Sequence, residues 1–358
     1  VYVTGGKEIQ SSLITVDKET NIVYLKTEAP SITKKADTDT VNIGQVVKYT
    51  VTGSVPDTTG YSEYIYKIHD TLTDGLDFVK NANGDALDNA DAVNVTVTFT
   101  EAGVTAAGTT PTTATLSGEN KRTMSLDLSA WVRANKANKG KEFTVTYYAK
   151  VNKNAVVTEQ NSATLEYGNN SGDTTTTKPS EAKTPTYHLD INKHIKDQTT
   201  SRLAGAKFSL YNSETDATNG TSAIKVSAVA DKAGYYVVDP ESTTTEFVSV
   251  DSITGAGYNL RVNGLAAGTY YLVETKAPEG YNKLTDPIKV TITKDGDTNW
   301  TVKKNDTKED DKIIDVENST GSILPSTGGM GTIAFAVVAA ILVFGVAVSF
   351  IRDKKREN

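Results

Sequence analysis

The chain has 358 residues, a length typical of two or three domains, and 37% of them are hydrophobic, which is enough for packed cores. A formal net charge of −7 argues against a nucleic-acid partner. No cysteine and three histidines exclude disulfides and thiolate chemistry and leave little for a metal centre, so we predict no metal and no cofactor.

The first 29 residues are too few for a domain. They begin at Val1, with neither an initiator methionine nor a signal-peptide pattern. We expect residues 1–29 to be the end of a truncated N-terminal domain.

Residues 30–170 predict a β-sandwich. Apolar and polar residues alternate in Val93–Phe99 and Phe143–Tyr147, and turn residues such as Asn83-Gly84-Asp85 separate the runs. One short helix is predicted near residues 129–138.

A change of composition follows. Four consecutive threonines and two prolines predict an extended linker over residues 171–186. Residues 187–320 alternate again, for example in Thr269–Val273 and Ile288–Ile292, and predict a second β-sandwich. The fold class is therefore all-β, with tandem immunoglobulin-like sandwiches.

Residues 321–358 contain the only segment that predicts a membrane helix. Nineteen residues without a charge run from Ile333 to Ile351, long enough to cross most of a bilayer. The tail, residues 352–358, is basic and is expected on the cytoplasmic side, so everything before it is expected outside the cell.

Just before the apolar segment the chain reads Leu324-Pro325-Ser326-Thr327-Gly328. Motif, apolar helix and basic tail together resemble the cell-wall sorting signal of Gram-positive surface proteins. The resemblance implies that a sortase cleaves between Thr327 and Gly328. The Thr327 carboxyl would then pass to an amine of peptidoglycan or to a lysine of another pilin. The alternative is a loop before an ordinary membrane anchor.

Two stretches of the second sandwich, Leu203–Tyr211 and Gly268–Tyr281, resemble the Cna B-type domain of Gram-positive surface proteins. The resemblance implies a reversed immunoglobulin-like sandwich with an intramolecular isopeptide bond. Lys193 would attack Asn318, and Glu274 would shuttle the protons.

Strand periodicity places the same three residues on apolar faces. Lys193 shares a face with Ile191, Glu274 with Leu272 and Asn318 with Val316, and the lysine should therefore be buried. Burial lowers a lysine pKa and raises a carboxyl pKa, which favours a neutral amine beside a protonated acid. The alternative is a buried Lys–Glu ion pair with the asparagine as a hydrogen-bonding neighbour.

The first sandwich resembles the fimbrial isopeptide-forming domain of backbone pilins. The resemblance lies in the stretches 30–34, 42–51, 66–76 and 160–167. It implies a crosslink between Lys34 and Asn161 with Asp70 as the acid. Lys34 is preferred to Lys35 because it shares a strand face with Ile32. Asp70 as a turn cap remains an alternative, and the other candidate acids are Glu142, Glu159 and Glu166.

Backbone pilins also carry a lysine that accepts the next subunit, and Val23-Tyr24-Leu25-Lys26 stands at the corresponding place. Leu25 replaces the proline of that motif, so Lys26 is a candidate acceptor and equally an ordinary strand lysine. Lys7 and the region before Val1 are other candidates.

The sequence therefore predicts a structural subunit of a sortase-assembled pilus on the cell surface, attached covalently to the wall or pilus and not an enzyme. Its expected partners are sortase, other pilin subunits and peptidoglycan. The alternative is a wall-anchored adhesin or minor pilin that binds a host ligand.

Overall fold

The computed structural model describes residues 29–321 except 156 and 158. Lys26, the motif at 324–328 and the apolar segment at 333–351 lie outside the described residues. Within the described range, none of the helices has the length and apolar character needed to cross a membrane. The described residues contain two short α-helices, α1 (Ser129–Ala134) and α2 (Glu214–Asn219), together with the 3-10 turns Glu119–Lys121 and Lys136–Asn138.

The first sandwich consists of two sheets. One has the order β1-β2-β9-β4, with β6 also paired to β9, and the other has the order β11-β10-β3-β8-β7-β5, with β12 also paired to β10. Its strands are β1 (Thr33–Ala36), β2 (Val46–Ser54), β3 (Ile65–Leu72), β4 (Leu76–Val79), β5 (Ala92–Asn94), β6 (Thr96–Phe99), β7 (Thr113–Ser117), β8 (Thr123–Asp127), β9 (Glu142–Val151), β10 (Glu159–Gly168), β11 (Thr175–Thr176) and β12 (Ser180–Thr184).

The second sandwich also has two sheets. One has the order β14-β13-β19-β17-β16, with β24 paired in parallel to β13, and the other has the order β18-β15-β20-β21-β22-β23. Its strands are β13 (Tyr187–Ile195), β14 (Gln198–Arg202), β15 (Lys207–Tyr211), β16 (Val226–Ala228), β17 (Tyr235–Val238), β18 (Phe247–Val248), β19 (Leu260–Leu265), β20 (Gly268–Lys276), β21 (Ile288–Asp295), β22 (Asn299–Lys304), β23 (Thr307–Glu309) and β24 (Ile313–Asn318).

The alternating pattern of the sequence sets which side of each strand is buried. In β9, Phe143, Val145 and Tyr147 are buried and the residues between them are partly exposed. Burying three such side chains contributes on the order of 5 kcal/mol before the entropy cost of ordering them. Inward-facing residues of both sheets build the core in this way.

The alternating run Val93–Phe99 is two strands rather than one. β5 pairs with β7 in one sheet, whereas β6 pairs with β9 in the other, and the chain changes sheets at Val95. Val93, Val95 and Val97 are all buried. The period of two continues through the crossing because the inner faces of both sheets line the same core.

The segment expected to be a linker is part of the first sandwich. Within residues 171–186, β11 and β12 both pair with β10 along the edge that β3 leaves open. Ser180 Oγ also accepts a hydrogen bond from the Lys34 backbone over 2.9 Å. Threonine-rich sequence favours strands, and the open edge of β10 offers hydrogen-bond partners to the backbone of this segment.

The two sandwiches meet along a seam between the loop before β2 and the turn after β19. Ile43 donates a backbone hydrogen bond to Gly264 O over 3.0 Å, and Asn42 Oδ1 accepts one from the Ala266 backbone over 2.8 Å. Gly264 has φ +93°, and a Cβ there would lie 2.4 Å from Ile43 Cδ1. The seam therefore requires a glycine at this position, and it joins the two cores into one apolar cluster.

Candidate functional site

The first site is centred on Lys34, which is buried in the core of the first sandwich. Lys34 Nζ lies 2.5 Å from Asp70 Oδ2, and it donates a second hydrogen bond to the Tyr147 hydroxyl. Tyr147 in turn donates to Asp70 Oδ2 over 2.5 Å. Because β1 and β9 belong to one sheet and β3 to the other, these groups meet between the two sheets.

Asn161 lies on β10, next to β3. The register pairs Asp70 with Ala163 and Leu72 with Asn161, so Asp70 and Asn161 share one face of the sheet. Among the described residues, neither polar atom of the Asn161 amide has a hydrogen-bond partner, nor has Asp70 Oδ1. An unpaired buried amide costs about 1–3 kcal/mol, so Asn161 is poorly explained as a structural hydrogen-bonding residue.

Burial controls the protonation of the first site. Desolvation lowers the pKa of Lys34, and the carboxylate of Asp70 offsets only part of this. Desolvation likewise raises the pKa of Asp70, with Lys34 and Tyr147 each offsetting part of the rise. Opposite shifts in a touching pair favour transfer of the proton from the lysine to the carboxyl group, which leaves a neutral amine.

The other candidate acids lie elsewhere. Glu159 is buried but accepts hydrogen bonds from the Thr73 hydroxyl and from the Gly75 backbone over 3.1 Å, and so holds the turn after β3. Glu142 is exposed, and Glu166 pairs with His69 at 2.9 Å. The structure thus brings Asp70 to Lys34, and it leaves Lys35 exposed on the opposite face of β1.

The second site brings together the three residues expected in the second sandwich, all of them buried. Lys193 Nζ lies 3.5 Å from Glu274 Oε1, and Glu274 Oε2 accepts a hydrogen bond from Asn318 Nδ2 over 3.0 Å. One carboxyl group therefore contacts the amine and the amide nitrogen at the same time. Such a group can take a proton from the first and deliver one to the second.

Backbone groups complete the second site. Asn318 Nδ2 also donates to Asn282 O over 2.9 Å, and Lys193 Nζ donates to Val316 O over 3.2 Å. Glu274 Oε2 accepts from the Leu284 backbone over 2.8 Å. Asn318 Oδ1 has no hydrogen-bond partner in the described part of the chain. The amide is thus held by its nitrogen, with its carbonyl free to be polarised.

Asn259 fixes the main chain of the nucleophile. Its side chain accepts from the Lys193 backbone N–H over 2.7 Å and donates to the Lys193 carbonyl over 3.2 Å. Burial lowers the pKa of Lys193 to about 8, although Glu274 and Glu317 raise it. About a tenth of this amine is therefore neutral at pH 7, whereas an ordinary lysine is almost fully charged there.

The two sites differ in topology. Lys34 and Asn161 belong to opposite sheets, so a bond between them would tie the sheets together. Lys193 and Asn318 lie on β13 and β24, which are parallel neighbours in one sheet, and the acid comes from the other sheet. A bond there would join two strands side by side.

Sequence reasoning missed Tyr147 and Asn259. Lys34 Nζ lies 4.7 Å from the ring centroids of Tyr147 and Tyr49, which pair across β2 and β9, but only the Tyr147 hydroxyl accepts a hydrogen bond from it. The alternating pattern of β9 does place Tyr147 on the buried face, and a buried phenol needs a partner. Nothing in the sequence indicated which group that partner is.

Comparisons with known proteins agree with this architecture. Residues 188–307 match the family described as SpaA, prealbumin-like fold domain. A fimbrial subunit type 1 of Actinomyces viscosus is 38% identical over 87 residues, which is 24% of this chain and 15% of that protein. The match thus spans a small part of the relative.

Solved pilus structures match over most of the chain. The pilus 2b backbone protein of group B streptococcus is 26% identical, with a TM-score of 0.51, and the match covers 82% of this chain and 99% of that one. The major pilin SpaA of Corynebacterium diphtheriae has a TM-score of 0.52 at 18% identity, covering 83% and 71%, and shows the shared fold.

The chain shares the β-sandwich fold of the solved pilus structures, and each sandwich holds a buried lysine beside a buried acid. The chain is similar to a fimbrial subunit over a short stretch and to a pilus backbone protein over most of its length. Within the residues that the structure describes, no group of three or more His, Asp or Glu side chains could hold a metal ion.

Proposed function

We propose that the chain is a structural subunit of a sortase-assembled Gram-positive pilus, with a Lys–Asn isopeptide bond in each sandwich. The observation that carries the proposal is that a buried lysine, a buried acid and a buried asparagine occur together twice, once in each sandwich. Burying a charged lysine is costly even beside an acid, and a covalent amide removes that charge altogether.

The second site illustrates the reaction. Lys193 gives a proton to Glu274 and attacks Asn318 Cγ as a neutral amine. A bond forms between Lys193 Nζ and Asn318 Cγ, the bond from Cγ to Nδ2 breaks, and ammonia leaves. Glu274 supplies the proton for the departing nitrogen and recovers one from the attacking nitrogen. The reaction runs once per molecule, so the carboxyl group acts without making the protein an enzyme.

The same reaction is proposed for Lys34, Asp70 and Asn161 in the first sandwich. Stabilising isopeptide bonds are described for the Corynebacterium diphtheriae pilin, whose fold this chain shares. In a chain without cysteine, such bonds take the role that disulfides have in other extracellular proteins.

Polymerisation and anchoring are proposed from the sequence outside the described residues. Sortase would cleave after Thr327 and join its carboxyl to a lysine of the next subunit, with Lys26 as a candidate acceptor, or to peptidoglycan. The apolar segment 333–351 would hold the chain at the membrane until cleavage. Relatedness to a pilus backbone protein over 82% of the chain supports a polymerised subunit rather than a solitary adhesin.

Intact mass tests the crosslinks. A recombinant fragment covering residues 27–322 is expected to weigh less than its sequence by two ammonias. Lys34→Ala and Lys193→Ala should each restore one. A mass equal to that of the sequence would refute both bonds and leave buried ion pairs.

Cell-wall extracts test the assembly. The wild-type chain, expressed in a sortase-positive Gram-positive host, should give a ladder of covalent multimers. Thr327→Ala should abolish the ladder, and Lys26→Ala tests the acceptor. A single wall-linked band from the wild type would refute polymerisation and favour the adhesin alternative.

A further inference from the structure

The two lysines share one feature of their surroundings that the proposed reaction does not by itself require. Lys34 Nζ contacts the carboxyl oxygen Asp70 Oδ2 and the uncharged Tyr147 hydroxyl. Lys193 Nζ contacts the carboxyl oxygen Glu274 Oε1 and the uncharged Val316 carbonyl. Each amine thus faces one acid and one neutral oxygen, although the neutral oxygen comes from a side chain in one site and from the backbone in the other.

The hydrogen bonds that a neutral amine can make explain why an acid and a neutral oxygen beside each lysine would help the reaction. A neutral lysine has two N–H donors and one lone pair. If the acid and the neutral oxygen each accept one N–H, the lone pair is confined to the remaining tetrahedral direction. Two fixed donors therefore aim the nucleophile.

We propose that Tyr147 is a catalytic residue of the first isopeptide site. Its hydroxyl accepts a hydrogen bond from one N–H of Lys34 and donates a hydrogen bond to Asp70 Oδ2. This arrangement orients the lysine lone pair toward Asn161. The inference rests on the proposed crosslink in that sandwich and adds a group to it.

Tyr147 also determines which oxygen of the Asp70 carboxyl group is favoured to carry a proton. Asp70 Oδ2 already receives the Tyr147 hydroxyl and the lysine, whereas Oδ1 has no hydrogen-bond partner among the described residues. A proton taken up by the carboxyl group is therefore favoured on Oδ1. Asn161 is likewise unpartnered within the described part of the chain. Oδ1 is thus the oxygen left to polarise the amide.

The step balances without another reactant. Lys34 gives one proton to the Asp70 carboxyl group, and its neutral Nζ forms a bond to Asn161 Cγ. The bond from Cγ to Nδ2 breaks as Asp70 returns the proton to Nδ2. The second proton lost by Nζ goes back to Asp70, and ammonia leaves. Tyr147 ends with the proton with which it began.

Tyr49 provides a matched control. Its ring lies as close to Lys34 Nζ as the ring of Tyr147, at 4.7 Å from each centroid. Its hydroxyl, however, makes no hydrogen bond to Lys34, Asp70 or Asn161 and lies near Thr184 instead. Tyr49→Phe and Tyr147→Phe therefore remove the same atom from stacked neighbours, and only one of them removes a contact with the reacting groups.

The test compares rates of ammonia loss in the full chain. Wild type, Tyr147→Phe and Tyr49→Phe are synthesised in a short cell-free pulse, quenched in acid at intervals, digested and weighed. Peptides that join Lys34 to Asn161 report the first site, and peptides that join Lys193 to Asn318 report the second in the same molecule. We expect Tyr147→Phe to slow the first site on the order of 10- to 100-fold and to leave the second unchanged. Tyr49→Phe should match the wild type.

Stability is measured separately in the Lys34→Ala background, where no first-site bond forms. Tyr147 still donates to Asp70 in that background, so Tyr147→Phe is expected to lower the melting temperature there, and the rates are compared at a temperature at which every variant is folded. Equal rates for the two Tyr→Phe variants would overturn the proposal, as would an equal slowing of both sites by Tyr147→Phe, which would assign the hydroxyl to packing. A wild type that forms the second bond but never the first would refute the first-site crosslink itself. Loss of neither ammonia would refute the proposed function.

Discussion

Replacing Lys193 by methionine should separate the covalent bond from the packing around it. The lysine is fully buried, and methionine keeps an apolar stem of similar length while removing the amine. Asn318 then has no nucleophile, and the second sandwich stays uncrosslinked. The variant should retain one ammonia that the wild type loses.

The size of the effect follows from the loop that the bond closes. From Lys193 to Asn318 the loop is about 125 residues, and closing it removes roughly 5 kcal/mol of unfolded-state entropy by analogy with a disulfide. For a domain of about 130 residues, each kcal/mol shifts the melting temperature by about 3–4 °C. The second sandwich of Lys193→Met should therefore melt about 15–20 °C lower than that of the wild type.

Calorimetry and intact mass measure this together on the chain ending at Thr320. The substitution leaves the proposed bond of the first sandwich unaffected, so that sandwich serves as an internal reference. The matched control is Lys207→Met, because Lys207 lies at the surface and its ion pair with Glu246 at 3.2 Å is solvent-exposed. Such a pair contributes about 0–1 kcal/mol, so this control should melt like the wild type.

Melting temperature alone does not refute the reasoning, because breaking a buried ion pair also costs about 3–5 kcal/mol. Mass decides. If wild type and Lys193→Met differ only by the substituted side chain, no bond forms at this site. Glu274→Gln sharpens the test, since it keeps the amine and the amide, and it should also retain the ammonia if the acid is needed.

Three further outcomes are expected. Glu159→Ala should destabilise the first sandwich by about 1–3 kcal/mol, because it leaves a turn amide unpaired. Mass spectrometry should still show the first crosslink, and loss of that crosslink would make Glu159 part of the reaction. In Gly264→Ala the new Cβ should clash with Ile43 across the seam and destabilise the contact between the sandwiches by about 1–3 kcal/mol. Calorimetry should then show weaker coupling between the unfolding transitions of the two sandwiches, and an unchanged thermogram would contradict the seam. Asn318→Ala leaves Lys193 unreacted with a folded pKa of about 8, below its usual 10.5, so the folded state binds fewer protons. Its stability should rise relative to wild type from pH 8 to 10.5 in denaturant titrations, and a flat difference over that range would show that the lysine is not desolvated.

The topology of the two sites has a consequence under tension. A force that separates β13 from β24 acts directly on a bond between Lys193 and Asn318, because these strands are neighbours. In the first sandwich, β11 and β12 follow β10, so Asn161 is not on the last strand. The residues after it are held by hydrogen bonds and by packing, with no covalent crosslink, and should yield first.

The alternation of apolar and polar residues was sufficient to predict the strands that show it and the buried faces of the site residues. Alternation placed Lys34 and Lys193 inward, and both are buried. It did not show that Val93–Phe99 changes sheets, because both sheets present the same period to one core. It also missed α2, although the Ser213 side chain accepts from the Asp216 backbone at its start and Gly220 ends it in the left-handed conformation.

The sequence by itself predicted the all-β class from strand periodicity. Its resemblance to pilin domains indicated the two lysines, the second-site acid and the asparagines, and strand periodicity placed each of them on an apolar face. Only the tertiary structure decided among the acids of the first sandwich, brought Tyr147 to Lys34 and turned the expected linker into sheet strands. These outcomes depend on contacts between residues far apart in the chain. Strand periodicity sets the side to which a residue points, whereas sheet order and register set which residue it meets there.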